Sequence, residues 1–200
     1  MGLMKKLSLY ILLVLMWCNV GFADDISEYQ IEGIAIGDSL LDHLSKEEII
    51  TEIERTRPAY NHLNNDFGEV YLYGNFDNYD RLSFFVKPKD KHYTIHMIKG
   101  AILYDDKLEQ CFAKQKEIEK EFSLIYKNAT KRKDTLEFDW DPTGESVTHN
   151  IYFDFDTGDY VRVGCAKYKK SLKIENNWVD NLQVAIGTKE IMHWFSNPIN

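Results

Sequence analysis

Two cysteines, Cys111 and Cys165, fall on the inward positions of two elements of different period, and that coincidence constrains the fold more than any other feature of the chain. Between Leu108 and Lys127, residues 108, 111, 115, 118, 122 and 125 step by three and four and carry Leu, Cys, Gln, Ile, Phe and Ile, the stripe of an amphipathic helix. From Tyr160 to Ala166, alternation puts Val161, Val163 and Cys165 on one face of a strand and Tyr160, Arg162 and Gly164 on the other. Two inward thiols can meet in a disulfide that pins the helix across the strand. The alternative is two separate buried thiols acting as small hydrophobes.

The redox setting favours the bridge. Met1 to Lys6 is a short positive start, Leu7 to Trp17 is apolar except for Ser8, and Gly21-Phe22-Ala23 places small residues three and one before a cut, so residues 1–23 read as a signal peptide. The apolar run falls short of the ~20 residues a membrane span needs. Cys18 invites a lipoprotein reading, but a lipobox wants a small residue before the cysteine, and Trp17 is the largest available. The expectation is a mature chain of 24–200, beginning near Asp24, exported to a periplasm or secreted, with no stable membrane anchor after cleavage. Such compartments oxidise thiols.

Cleavage leaves 177 residues, the size of one domain, and the loss of Lys5 and Lys6 takes the formal charge from −8 to −10. So acidic a chain repels phosphate backbones, and its one dense basic run, Lys131-Arg132-Lys133, is too short to compensate, so nucleic acid is excluded as a partner. Asn128-Ala129-Thr130 matches a glycosylation acceptor, which matters only in a host that glycosylates in its secretory lumen.

Four prolines and no Gly/Ser tract argue against a linker, so 24–200 reads as a single α+β domain. Gln30 to Ile36 is extended, Gly37-Asp38-Ser39 opens a helical turn, and Ser45-Lys46-Glu47-Glu48 has capping-box spacing ahead of a helix that Pro58 limits. Strands follow at 69–73, 81–87 and 92–104, then the helix 108–127. Four more strands are predicted near 135–140, 146–155, 159–166 and 181–187, with a closing helix at 189–195. The order reads as two helix-plus-strands units. Ile151, Phe153 and Phe155 alternate with Asn150, Tyr152 and Asp154, so the fold predicted is an antiparallel β-sheet with helices packed on one face and the other face wet.

Candidate sites are few. Asp154, Asp156 and Asp159 in the stretch from Tyr152 to Asp159 offer several oxygens to a hard cation, but an EF-hand register wants a ligand where Gly158 stands. Asp-Thr-Gly-Asp is also what a tight hairpin needs on steric grounds. Asp139 to Glu145 carries the same ambiguity through its Asp-Pro-x-Gly turn. His92 and His96 share a strand face ~13 Å apart, too far to hold one ion. No Gly-x-Ser-x-Gly, His-Glu-x-x-His or Cys-x-x-Cys occurs, no cofactor is expected, and a catalytic set cannot be assigned. Tyr71 and Tyr73 alternate away from Val70 and Leu72, so they are candidates for a binding platform or for cross-strand pairs. Trp178 and the pair Trp194-Phe195 read as partly buried anchors.

The stretch from Gln30 to Asp42, with Tyr152-Phe153-Asp154-Phe155-x-x-Gly158-Asp159 and the two cysteines, resembles a family of small exported proteins from marine bacteria over nearly the whole mature chain. The resemblance implies a bacterial envelope setting and supplies no functional residues. More loosely, the Gly-x-x-x-Gly-Asp-Ser opening before short helices and strands is similar to small envelope modules that bind other proteins. Two functions follow as expectations: a non-enzymatic binding module for a partner protein or glycan, or a cation-dependent hydrolase using the Asp154, Asp156 and Asp159 turn.

Overall fold

In the computed structural model, residues 26–138 and 140–199 are described; the leader with Cys18, the expected first mature residue Asp24, Asp139 and Asn200 lie outside them. Seven antiparallel strands make one sheet: β3 (Gly68–Leu72), β4 (Arg81–Val86), β5 (Ile95–Leu103), β6 (Thr130–Glu137), β7 (Val147–Asp154), β8 (Tyr160–Lys167) and β9 (Asn181–Gly187). Their order across the sheet is β3-β4-β5-β9-β8-β7-β6. A small hairpin of β1 (Gln30–Ile31) and β2 (Ile34–Ala35) turns through Glu32 and Gly33, both at positive φ. The helices are α1 (Lys46–Thr56), α2 (Leu108–Ile125), α3 (Lys170–Asn176) and α4 (Lys189–Phe195).

The chain therefore runs α1 into the meander β3-β4-β5 and α2 into the meander β6-β7-β8. β9 joins the two units by pairing with β5 on one side and β8 on the other. The fold class is α+β, and α1 and α2 both lie on the same face. Ser45 and Glu48 form the capping box of α1, with the Glu48 carboxylate accepting from the Ser45 N–H at 2.8 Å. α1 settles along β3 because Gly68 leaves room for Ile53, which a Cβ there would meet at 2.7 Å. The outer edge of β3 is also satisfied from α1: Glu52 accepts from the Tyr71 N–H at 3.2 Å and the Thr56 hydroxyl donates to the Glu69 carbonyl at 2.7 Å.

On this first face Val70, Phe84, Ile98, Phe153, Val163 and Val184 meet Ile49, Cys111 and Ile118 in the main core. Cys111 and Cys165 are disulfide-bonded, with Cα atoms 6.0 Å apart, so both periodicities led to the same contact. Gln115, on the same helical stripe, is buried and donates to the carbonyls of His149 at 2.6 Å and Val163 at 3.0 Å.

The second face has an additional cover at one end, where α4 places Ile191 and Trp194 with Leu63 and Phe67 over Phe85, Met97, Tyr160 and Ala185. Phe84 and Phe85 are consecutive, so one of them must point to each face. Three predicted boundaries move. β6 starts at Thr130 rather than near 135, β5 begins at Ile95 rather than 92 because Tyr93 takes a positive φ, and α3 occupies a stretch to which the sequence assigned no element. His92 is exposed, whereas His96 is half-buried against the Phe67 ring, 5.1 Å away. Burial holds its imidazole below the usual pKa even with Glu190 beside it.

Candidate functional site

Beyond the cover of α4, the second face is laid with polar side chains held in place by one another. The strand registers set Arg132, Tyr152, Arg162, Ala185, Lys99, Ser83 and Tyr71 in one row across all seven strands. Around that row runs a chain of hydrogen bonds. Arg132 donates to Asp154 at 2.6 Å and Asp134 at 3.0 Å, and Asn150 donates to Asp134 at 2.9 Å. Arg162 donates to Asn150 at 3.3 Å and Gln183 at 2.7 Å, while Gln183 donates to Asn181 at 2.9 Å. Asn181 reaches the Tyr168 hydroxyl at 3.4 Å. Side chains fixed this way have little rotamer entropy left to lose when something binds over them.

At the β3 edge, Tyr71 and Tyr73 do come together on this face, with rings stacked at 6.1 Å. The guanidinium groups of Arg55 and Arg81 both lie over Tyr71, at 5.3 and 5.1 Å from its ring centroid. Tyr73 is 65% exposed and accepts from Arg55 at 3.2 Å. Burial chiefly, with the nearby Glu69 charge, raises the Tyr71 phenol above its ordinary pKa, so it stays neutral and can donate.

The far end of the face carries a feature that local sequence spacing does not mark. Phe138 just past β6, Trp140 in the following turn, Tyr168 after β8 and Trp178 before β9 meet in one cluster, in which Trp140 and Tyr168 each touch the other three rings. Centroids are 4.8 Å apart for Phe138 and Trp140, 5.0 Å for Trp140 and Trp178, 5.3 Å for Tyr168 and Trp178, and 5.7 Å for Phe138 and Tyr168. Trp140 remains 47% and Trp178 39% exposed. Leu103 and Leu136, both exposed, stand on the adjoining last row of the sheet. The cluster is held from beneath by two carboxylates. Asp180 accepts from the Tyr168 N–H at 2.8 Å and from Lys173 at 3.0 Å. Asp141 accepts from the Thr143 hydroxyl at 2.6 Å and the Ser146 N–H at 2.8 Å, bonds that hold its pKa well below the usual carboxylate range. Asp-Pro-x-Gly is thus a turn, built to present Trp140.

The aspartate hairpin is organised differently from a metal loop. Asp154 pairs with Arg132, while Asp159 accepts from the Lys189 N–H at 2.8 Å and the Thr157 hydroxyl at 2.8 Å. Asp156 is exposed beyond them, and Gly158 takes φ 88° as the turn requires. Among the described residues no three His, Cys, Asp or Glu side chains gather into a set that could hold a metal ion. No helix among them is long and apolar enough to cross a membrane.

Comparison with known protein families, curated proteins and solved structures finds no match to this chain.

Proposed function

We propose that this protein is an exported, non-enzymatic binding module that takes a partner protein or a glycan on the second face of its sheet, anchored at the aromatic end. The observation that carries this is the cluster of Phe138, Trp140, Tyr168 and Trp178, two of whose indoles stay exposed while the loops beneath them are fixed by buried carboxylates. Large amphipathic rings on a rigid support are what binding hot spots are made of, since they bury much area at little entropic cost. Tyr71 and Tyr73 extend the same face at its opposite edge. Export is supported by the reading of the leader and by the Cys111–Cys165 bridge, which suits an oxidising compartment.

The test is recovery of partners from an extract of the host envelope on immobilised protein. Trp140→Ser with Trp178→Ser is expected to lose what the wild type recovers, and Tyr71→Ser with Tyr73→Ser to reduce it. Unchanged recovery by the tryptophan pair overturns the assignment of the face.

A further inference from the structure

Trp178 belongs to two surfaces at once. Its ring packs against Trp140 and Tyr168, and the residue also lines a groove of about 650 Å³ between the start of α2 and α3. Building on the binding role proposed above, we propose that this groove is a subsite for a neutral saccharide, with Trp178 as the stacking platform.

Four observations converge on that chemistry. The groove is of ligand size and opens to solvent beside an indole that its neighbours Trp140 and Tyr168 already hold, so a stacking platform is in place before anything binds. Gln110, Asn177 and Asp106 line the same groove, planar groups that pair with vicinal hydroxyls, which donate and accept together. The charges that line the groove nearly cancel, Asp105 and Asp106 against Lys107, Lys170 and Lys173. Lys173 is held by Asp106 at 2.6 Å and Asp180 at 3.0 Å, so its ammonium is committed and does not stand ready for a phosphate or carboxylate. Finally, Asp106 at φ 48° and Asn177 at φ 55° are both non-glycine residues in the left-handed region, and both line this groove. At Asn177 this is the C-cap of α3, its N–H donating to the Lys173 carbonyl, so the backbone carrying its amide to the groove is fixed.

The experiment follows the indole N–H resonances of the protein, purified with its disulfide formed, as hexasaccharides of N-acetylglucosamine, of β-1,4-glucose and of α-1,4-glucose are each added to ~10 mM. Trp194 is an internal control, since its indole is hydrogen-bonded to Asn64 at 2.8 Å on the side under α4. At least one sugar is expected to move the Trp178 resonance and leave that of Trp194 in place. Two variants that spare the fold keep the test decisive. Asn177→Gly retains the left-handed backbone without the amide, and Gln110→Ala changes an exposed position of α2; each is expected to weaken binding about threefold. Trp178→Ala should weaken it at least about tenfold. An oligogalacturonide of the same length, with a carboxylate on each ring, is expected to bind no better, and tighter binding of it overturns the neutral assignment.

No Trp178 shift with any of the three neutral sugars, or affinities unchanged in all three variants, overturns the subsite. If the sugars fail while the Trp140 and Trp178 double substitution still abolishes partner recovery, the groove proposal falls and the binding face stands with a protein occupant. If that substitution also changes nothing, both fall.

Discussion

Lys99 reaches over the intervening strand β4 to place its ammonium 2.7 Å from the Glu69 carboxylate, joining β5 to the edge strand β3 on the second face. The side chains are only 15% and 4% exposed, and the Tyr60 hydroxyl donates to the other carboxylate oxygen at 2.7 Å. Removing one partner would leave an uncompensated buried charge. Lys99→Met is therefore expected to cost about 3–5 kcal/mol in urea unfolding, whereas Lys99→Met with Glu69→Leu should cost clearly less. Equal losses would show that the pair acts through packing alone.

The same pair sets an acid limit. Burial by itself would raise the Glu69 pKa, but the Lys99 charge and the hydrogen bonds from Lys99 and Tyr60 outweigh it and hold the carboxyl below its ordinary 4.5. A carboxyl whose folded pKa is lowered stabilises fully above the unfolded value and loses that contribution as pH falls through the folded one. The urea midpoint should thus drop steadily below about pH 4.5, and Glu69→Gln should flatten that slope. Asp90, whose bonds to Thr94 and His92 hold its carboxyl down to about 2, should titrate at the acid end of the same window by NMR.

The disulfide closes a loop across a sequence separation of 54 residues. On the chain-entropy estimate, replacing both cysteines by alanine costs about 4 kcal/mol. Cys111 and Cys165 are each 0% exposed, so reductant without denaturant should leave the thiols unalkylated in the folded protein. Rapid labelling under native conditions would contradict this burial.

Gly100 on β5 lies beneath the Tyr79 ring, whose Cδ1 would be 2.5 Å from an added Cβ. Gly100→Ala must push that ring out of the main core. A loss of about 1–3 kcal/mol in chemical denaturation is expected, and relief on combining it with Tyr79→Leu would identify the clash.

If the proposed export holds, protein recovered from its host begins at or close to Asp24 and carries no lipid. Intact-mass measurement checks this directly. Retained Met1, or a diacylated Cys18 as the first residue, sinks the proposal.

Much of this architecture is written locally in the chain. The capping box at Ser45 and Glu48, the strands around Phe84, Phe153 and Val163, and the inward thiols are legible because a residue's neighbours at two, three and four positions record which side it buries. Where no side is buried the record is silent. β6 begins with Thr130 to Asp134 on an edge where most residues are exposed, and α3 has no buried residue, so neither carries a period to read. Tyr71 and Tyr73 show themselves as outward residues of one strand, but the guanidinium groups that lie over Tyr71 come from α1 and β4. The insertion of β9 between β5 and β8, the reach of Lys99 across β4, and the meeting of Phe138, Trp140, Tyr168 and Trp178 from three separate loops belong to the tertiary structure. Local spacing encodes burial, whereas strand order and loop encounters depend on pairings between residues far apart in sequence. Those are chosen only when the whole core closes.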